Sequence, residues 1–334
     1  MLDKSGKPSY EYPASFRIMV VIGTFSKILE RIIVSLLLHV ARSKGLLYPN
    51  HYGSLPRQRT YDAVLTWFND VRTIQTPCLK GSFLFLDIKA GSDNIDNFTM
   101  ALTLGGGWIP PYLGSWVYSF LGERTNTLVV QETRGTPPPV TVGTPQGSPI
   151  PPDLFLLYVA SLHFRIPRRM LISYVDDFAL TAASLSYRGN IRRLQEVFEK
   201  LEAKALQLVV SFSFAKMELI HWRTPGQRYS RKCLSPIHIK GELVCPYNSL
   251  RWLGYWFMPV LDSSAHISHQ LALAQGPFDL IRRLNPLGAG LTPYLCHSLA
   301  TSLVAPILLY GADLFTRSVA AMTRLNTFWH KVQR

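Results

Sequence analysis

The stretch Leu171-Ile172-Ser173-Tyr174-Val175-Asp176-Asp177-Phe178-Ala179-Leu180-Thr181 places two adjacent carboxylates between two short apolar runs. Each run has the length and residue types of a buried strand, so the stretch predicts a β-hairpin with Asp176 and Asp177 at its tip. Neighbouring carboxylates repel each other, and removing either from water costs free energy unless a cation or a donor lies between them. A divalent ion such as Mg²⁺ would satisfy both, whereas a plain turn is the alternative reading, because aspartate is a common turn residue.

A third acid follows the strongest strand signal in the chain. The continuous apolar run Phe83-Leu84-Phe85-Leu86 leads into Asp87 and Ile88, which predicts a strand covered on both faces. The carboxyl end of such a strand is where open α/β architectures place ligand-binding groups. We therefore expect folding to bring Asp87 beside Asp176 and Asp177, close enough to share a pair of metal ions.

Between these two acidic positions lies the turn Gly143-Thr144-Pro145-Gln146-Gly147-Ser148-Pro149. Two glycines and two prolines in seven residues impose an unusual backbone path, and Gly147 leaves room for a close approach. A surface turn is the alternative. An apolar segment from Leu154 to Leu162 follows and predicts a packed helix.

Helical periodicity marks two longer segments. One helix is predicted to begin near Ser26, which can cap it, and to end before Gly45 and Pro49. Residues 188–208 have apolar positions three and four residues apart, which predicts an amphipathic helix. Residues 101–123 are predicted to be helical in patches.

The second half of the chain predicts a strand-like run over 209–214 and a hairpin over 249–257 that turns at Gly254. The aromatic residues of this hairpin could stack on nucleic acid, although core packing is at least as common for such side chains. Beyond Asp262 the pattern is mostly helical.

Bulk composition narrows the class of partner. The 334 residues are 47% hydrophobic, and 35 Lys and Arg against 21 Asp and Glu give a net charge of +14. Such an excess favours a polyanionic partner, with nucleic acid ranked before a membrane surface.

The cysteines and the N-terminus bear on the compartment. The four cysteines are scattered without zinc spacing, and no secretory signal is present, so we predict an intracellular protein with reduced thiols. The apolar stretch 18–41 is interrupted by charges and predicts an amphipathic helix rather than a membrane span.

Together these segments resemble the reverse transcriptases of non-LTR (LINE-type) retrotransposons, closest in style to fungal elements. The resemblance covers nearly the whole chain. The segments that carry it, in the family's order, are the fingers residues Phe16-Arg17, Ser26-Lys27-Ile28-Leu29-Glu30 and Tyr52-Gly53-Ser54, motif A at Leu86–Gly91 with Asp93-Asn94, motif B at Gly143–Pro149, motif C at Tyr174–Asp177, motif D at Lys216-Met217-Glu218, motif E at Leu250–Gly254, and the downstream signature Ala305–Gly311.

The resemblance assigns roles to individual residues. It implies that Asp87 and Asp176 are the principal metal ligands, that Asp177 is the third carboxylate, and that Lys216 protonates the pyrophosphate. It further implies contacts to the incoming nucleotide and to the primer end, from Lys4 and Arg17 for the triphosphate, Gln146 and Gly147 for the nucleotide and template, and Trp252, Leu253 and Gly254 for the primer.

Three positions depart from the family pattern. Ser92 stands five residues after Asp87, where the family has a Phe or Tyr ring that blocks a ribose 2′-hydroxyl, so we predict weak discrimination against ribonucleotides. Pro151-Pro152 replaces Ser-Pro, and Ile18 replaces Pro. These departures suggest a degenerating copy.

The implied fold class is α+β, a right-hand polymerase with fingers, a palm with an antiparallel sheet and a helical thumb. We predict fingers over residues 1–75, palm with inserted helices over 76–222, the end of the palm with the primer-grip hairpin over 223–260, and thumb with the start of a C-terminal extension over 261–334. Neither an endonuclease nor an RNase H domain is visible in the sequence.

The leading functional prediction is an RNA-directed DNA polymerase that uses Mg²⁺, with Mn²⁺ as a substitute, an RNA template, a DNA primer and dNTPs. We infer no membrane association and no obligate protein partner, and we expect a nuclear location for a functional copy. Two alternatives remain: a catalytically degenerate nucleic-acid-binding relic, and a group II intron or telomerase-like reverse transcriptase.

Overall fold

The structure is a computed structural model. It describes residues 2–3, 9, 16–17, 20–74, 79–89, 91, 95–106, 108–125, 127, 129–130, 133–134, 136–145, 147–223, 235–260, 262–285, 290–315 and 318–333. The strands are β1 (Leu2–Asp3), β2 (Phe16–Arg17), β3 (His51–Tyr52), β4 (Lys80–Asp87), β5 (Arg124–Thr125), β6 (Val129–Val130), β7 (Thr133–Arg134), β8 (Pro139–Val140), β9 (Leu171–Tyr174), β10 (Asp177–Ser184), β11 (Glu218–Trp222), β12 (Ile237–Ile239), β13 (Glu242–Val244), β14 (Leu250–Trp252) and β15 (Tyr255–Phe257). The helices are α1 (Thr24–Ser43), α2 (Thr60–Ile74), α3 (Asn97–Gly105), α4 (Pro111–Leu121), α5 (Pro151–Val159), α6 (Tyr187–Gln207), α7 (Ser264–Leu284), α8 (Pro293–Leu299), α9 (Ala305–Leu308), α10 (Ala312–Phe315) and α11 (Val319–Gln333).

The chain divides into two compact units. Unit 1 comprises residues 1–63, 85–181 and 193–217, and unit 2 comprises residues 64–84, 182–192 and 218–334. The strands β4 and β10 and the helix α6 each contribute residues to both units.

Unit 1 is built on the hairpin β9–β10. Its antiparallel register pairs Tyr174 with Asp177, and β3 lies parallel to β9 at the edge, with Tyr52 opposite Tyr174. The end of β4 lies on the other side of β10. Nearly every residue of α5 is buried, and the Tyr158 hydroxyl on this helix donates a hydrogen bond to the carbonyl of Leu208.

Unit 2 has a core of aromatic rings around the fully buried Trp67. The rings of Phe83, Trp222 and Phe257 lie 5.1, 5.3 and 4.3 Å from the Trp67 ring, centroid to centroid. The hairpins β12–β13 and β14–β15 and the helices α7 to α11 complete the unit. A second core joins these helices, with Phe278 and Val304 among its buried residues.

Several sequence predictions are confirmed here: the buried strand at β4, the hairpin β9–β10, the amphipathic helix α6, and the hairpin that turns at Gly254. The first helix is confirmed near its predicted start, but the Ser26 cap is wrong, because α1 begins at Thr24 and Gly23 occupies the N-cap position. The predicted strand over 209–214 is also wrong. Val209 has φ +55° in a turn after α6, and Phe212 forms an isolated bridge with Ile88.

The two prolines at the start of α5 fit the structure. The helix begins at Pro151, three residues earlier than predicted, so both prolines occupy its first two positions. The missing N–H groups are harmless there, because the first N–H groups of a helix have no partner within it. The helix ends at Val159, and residues 160–163 continue as a 3₁₀ turn. Pro151-Pro152 is therefore no sign of a damaged fold.

Across the described residues, we find no helix whose length and apolar character would allow it to span a bilayer.

Candidate active site

The acidic hairpin closes through a strained two-residue turn formed by Val175 and Asp176. Val175 has φ +53°, a left-handed conformation that costs a β-branched residue roughly 1–2 kcal/mol. The backbone N–H of Val175 donates to the carbonyl of Tyr52, 3.1 Å away. A Cβ on Gly53, which has φ +84°, would lie 2.6 Å from Val175 Cγ2. Gly53 therefore allows the edge strand to hold the turn.

Asp87 lies beside this turn at the end of β4. The N–H of Ile88 donates to the Asp176 carbonyl (3.1 Å), and the N–H of Ser213 donates to the Asp87 carbonyl (2.8 Å). Backbone hydrogen bonds thus join three segments that are distant in the sequence. We expected folding to bring Asp87 beside the turn that carries Asp176. The backbone of β4 does lie beside that turn, as the hydrogen bond from Ile88 to Asp176 shows.

Lys216 is the cation of this cluster. It ends the 3₁₀ turn Phe214–Lys216, and its Nζ lies 2.9 Å from Asp87 Oδ2. The Lys216 side chain is 65% exposed and that of Asp87 20% exposed. The hydrogen bond to Asp87 is the main reason why the pKa of Lys216 is raised.

The three carboxylates interact electrostatically. Burial, and then the charges of Asp176 and Asp87, raise the pKa of Asp177 to about 7. Burial is also the main cause of the raised pKa of Asp176, and the charge of Asp87 adds to it. Lys216 opposes both shifts. Among the groups that cause these shifts, one ammonium faces three carboxylates, which is a situation that a divalent cation relieves.

The donor set fits a hard divalent ion by its chemistry, since it consists of carboxylate oxygens. Among the residues that the structure describes, however, no three or more His, Cys, Asp or Glu side chains are grouped closely enough to hold a metal. Asp87 is instead engaged by Lys216. The structure thus brings the carboxylates into electrostatic contact without arranging them as a coordination shell.

Buried histidines support β9 behind the acids. His163 Nε2 lies 2.7 Å from the Ser173 hydroxyl and 3.2 Å from His51 Nδ1. Burial lowers the pKa of His163 to about 4, and burial followed by the charge of His163 lowers that of His51. Both rings are therefore neutral at pH 7. No local pattern indicates this pair, because the two histidines are 112 residues apart.

The glycine-proline turn packs against the beginning of unit 1. Gly147 has φ +110°, and a Cβ there would lie 2.5 Å from the carbonyl oxygen of Val20. The Ser148 hydroxyl donates to the buried carboxylate of Glu30 on α1. The close approach predicted at Gly147 is thus made by the chain's own backbone.

In unit 2, the hairpin β14–β15 carries the residues that the resemblance assigned to the primer end. Leu253 and Gly254 form its turn, with φ values of +49° and +84°. Trp252 is buried, and its ring lies 6.5 Å from that of Trp67. The aromatic side chains of this hairpin could stack on nucleic acid or pack in the core, and the Trp252 side chain packs in the core.

The profile described as "Reverse transcriptase (RNA-dependent DNA polymerase)" matches residues 3–257. This chain belongs to the reverse transcriptase family. Membership implies dependence on a divalent metal, which the acids at 87, 176 and 177 fit by chemistry.

The relatives of this reverse transcriptase chain include proteins of mobile elements from Drosophila melanogaster. It is 24% identical over 337 residues to the probable RNA-directed DNA polymerase from transposon BS, covering 98% of this chain and 36% of that protein. It is also 24% identical to the RNA-directed DNA polymerase from mobile element jockey, covering 98% of this chain and 35% of that protein. The chain thus spans about a third of the length of these relatives.

Solved structures confirm the predicted right-hand fold class. The apo telomerase from Candida tropicalis matches 92% of this reverse transcriptase chain and 51% of its own, with a TM-score of 0.50 and 15% identity. The telomerase from the same organism in complex with a fragment of telomeric RNA gives a TM-score of 0.51 at 13% identity, over 92% and 54% of the two chains. At this identity the likeness concerns the fold alone.

Four of the predicted site positions in the reverse transcriptase chain are not described, wholly or in part. Lys4, Ser92 and Gln146 lie outside the described residues. Arg17 pairs with Leu2 through β2, but its side chain is also outside them. The roles predicted for these four residues stay predictions.

Proposed function

We propose that this chain is the RNA-directed DNA polymerase domain of a non-LTR retrotransposon, which adds deoxynucleotides to a primer 3′ end on an RNA template. The observation that carries the proposal is the group of three carboxylates at the junction of β4 and the hairpin turn, where burial, together with the charge of Asp87, raises the pKa of both Asp176 and Asp177. The names of the Drosophila relatives support it, as does the net charge of +14.

In the proposed reaction Asp87 and Asp176 would hold the divalent ions, and Asp177 would supply the third carboxylate. Mg²⁺ is the proposed metal, with Mn²⁺ as a substitute. Such ions would supply activation of the primer 3′-hydroxyl and stabilisation of the charge on the leaving pyrophosphate.

Lys216 is suited to donate a proton to the departing pyrophosphate, because its ammonium already lies among the acids and its raised pKa keeps it protonated. The other roles follow the resemblance: triphosphate contacts from Lys4 and Arg17, nucleotide and template contacts from Gln146 and Gly147, and primer contacts from the turn of β14–β15.

The remaining assignments belong to the same proposal. The division into fingers, palm and thumb, with boundaries at residues 75, 222 and 260, rests on the resemblance. The nuclear location proposed for a functional copy rests on it as well. The likeness to fungal elements also rests on sequence style, and the relatives named above come from Drosophila.

Primer extension on poly(rA) with an oligo(dT) primer tests the proposal. We expect wild-type protein and a Glu242→Gln control, which removes an exposed charge from β13, to extend the primer with Mg²⁺, and Asp87→Asn to lose extension. Equal extension by Asp87→Asn would expose a contaminating polymerase. Binding of the duplex without extension by the wild type would favour the nucleic-acid-binding relic.

Ser92 adds a prediction on substrate choice. Because the excluding ring of the family is absent, we expect the enzyme to incorporate ribonucleotides readily and Ser92→Phe to reject them. The relative kcat/KM values for dTTP and UTP measure this, and strong rejection of UTP by the wild type would refute the prediction.

A further inference from the structure

The sequence segment Ala305–Gly311 has no role in the proposed chemistry, although it stood out as a family signature. It comprises α9, two further residues and Gly311, which precedes α10. Its last two residues, Tyr310 and Gly311, contact the hairpin β14–β15 of the same unit.

The Tyr310 hydroxyl holds the turn of that hairpin. It donates a hydrogen bond to the carbonyl oxygen of Leu253, 2.8 Å away. Leu253 is the strained residue of the turn, since it has φ +49° without being glycine. The hydrogen bond fixes the orientation of the peptide that follows Leu253.

The tyrosine ring also requires the glycine at the second turn position. A Cβ on Gly254 would lie 3.2 Å from both Cε1 and the hydroxyl oxygen of Tyr310. Gly254 has φ +84°, so residue 254 is constrained by the backbone and by the ring. The Tyr310 ring therefore packs against the turn only because residue 254 has no side chain.

The buried His266 side chain holds the backbone of Tyr310. His266 Nε2 lies 2.8 Å from the Tyr310 carbonyl oxygen, and its Nδ1 accepts the backbone N–H of Trp256 at 3.3 Å. Because Nδ1 is the acceptor, Nε2 carries the proton and donates it to the carbonyl. The His266 ring is parallel to that of Tyr255, with centroids 5.6 Å apart.

Gly311 permits this close packing. A Cβ at this position would lie 2.6 Å from Tyr255 Cε1 and 2.9 Å from His266 Nε2. The Tyr310 and Tyr255 rings lie 4.8 Å apart. Hydrogen bonds and ring contacts therefore tie the segment both to β15 and to the first turns of α7.

We propose that Tyr310, supported by His266, is a positioning residue that holds the Leu253–Gly254 turn in the one conformation able to grip a primer end. The inference rests on the proposed function and names a determinant of its primer binding. Without the hydroxyl, the Leu253 peptide is free to rotate and the strained turn relaxes. The affinity for the primer–template duplex then falls, while the chemistry at the carboxylates is unaffected.

Tyr310→Phe tests the proposal, because it removes one oxygen and retains the ring against Gly254. The matched control is Tyr294→Phe, at a tyrosine of α8 that is 78% exposed. For both variants we would measure the Kd of a poly(rA)–oligo(dT) duplex by fluorescence anisotropy, KM for the duplex and for dTTP, the single-turnover rate at saturating duplex, and Tm.

We expect Tyr310→Phe to raise Kd and KM for the duplex roughly 2–10-fold, the range for one lost hydrogen bond. KM for dTTP and the single-turnover rate should equal those of the wild type, and Tyr294→Phe should change nothing. A fall in Tm with unchanged Kd and KM for the duplex would assign Tyr310 a purely structural role and overturn the proposal. A change confined to the single-turnover rate would overturn it as well.

Gly311→Ala gives a second test that leaves the hydroxyl in place. The added methyl group must displace His266 or Tyr255, so we expect the same selective loss of duplex affinity. Gly241→Ala is its control, because Gly241 also has a positive φ, +83°, and has open space where the Cβ would lie. Equal duplex affinity in the two variants would refute the supporting role of His266.

The duplex Kd also separates this inference from the function on which it rests. If the wild type binds the duplex and extends nothing, the polymerase proposal fails and Kd still decides the role of Tyr310. If the wild type binds no duplex, both fail.

Discussion

The hairpins β9–β10 and β14–β15 both close through two-residue turns, and they differ in what the second turn residue offers. In β9–β10 the turn is Val175–Asp176, and only its first residue has a positive φ, +53°. In β14–β15 the turn is Leu253–Gly254, with φ +49° and +84°. The first turn therefore accepts a carboxylate at its second position, whereas the second turn requires glycine.

Each turn has a neighbour that holds its strained first residue. Tyr52 accepts the N–H of Val175, with Gly53 packed beside it, and Tyr310 donates to the carbonyl of Leu253. The first turn thus presents a charged side chain, and the second presents its backbone. In the proposed function the first turn would carry a metal-binding carboxylate and the second would contact the primer, and the sign of φ at their second residue separates them.

Replacing the second residue of each turn should give opposite phenotypes, and this is the largest effect we expect. Asp176→Asn should lower the single-turnover rate by roughly 10²–10³-fold or more, as expected for loss of a preorganised charged group, with little change in duplex affinity. Gly254→Ala should weaken duplex binding and leave the saturated rate nearly intact. Rapid-quench extension combined with anisotropy distinguishes the two, and identical phenotypes would invalidate the comparison.

Breaking the support of the first turn should have the next largest effect. Gly53→Ala places a methyl group 2.6 Å from Val175 Cγ2 and should reduce the single-turnover rate about 10²-fold, since small displacements of catalytic groups cost about that much. Gly241→Ala, whose φ is +83°, imposes the same backbone strain without the contact and should leave the rate unchanged. The double variant Gly53→Ala/Val175→Ala should recover part of the loss. No recovery would mean that the contact with Val175 is not the cause.

Replacing Lys216 should have a smaller effect, and it should change metal binding and the extension rate in opposite directions. Lys216→Met removes the ammonium that lies 2.9 Å from Asp87 Oδ2, so it should tighten Mn²⁺ binding while slowing extension through the lost proton donor. Electron paramagnetic resonance of Mn²⁺ and rapid quench measure the two quantities. Weaker Mn²⁺ binding in this variant would contradict the competition that the ion pair implies.

The smallest expected effect is the pH dependence of stability without metal. The folded pKa of Asp177 is about 7, above its ordinary 3.8, so the fold favours the protonated acid. The resulting stability is fully present below pH 3.8 and is lost as the pH rises through 7. Asp153, whose pKa burial raises to about 6, acts in the same direction. Asp177→Asn should flatten the fall in the free energy of unfolding between pH 4 and 7 in urea titrations, and an unchanged slope would refute the shift.

Local patterns in the sequence predicted several of the elements and singled out the acids. Apolar runs predicted β4, β9 and β10, and the resemblance supplied the roles of Asp87 and Lys216. The contacts that hold these elements could not be read locally, because they join distant residues: Lys216 and Asp87 are 129 residues apart, and Tyr310 and Leu253 are 57 apart. The strand predicted over 209–214 failed for a local reason, because α6 ends in a turn there: Val209 has φ +55°, and the N–H of Val210 donates to the carbonyl of Ala205.

Binding of Mn²⁺ to wild type, Asp87→Asn, Asp176→Asn and the double variant tests the central claim most directly. If β4 and the hairpin turn form one metal site, each single change should weaken binding strongly, and the double change should cost little more than either alone. Independent, additive losses, or binding that survives both changes, would show that Asp87 and Asp176 do not share an ion.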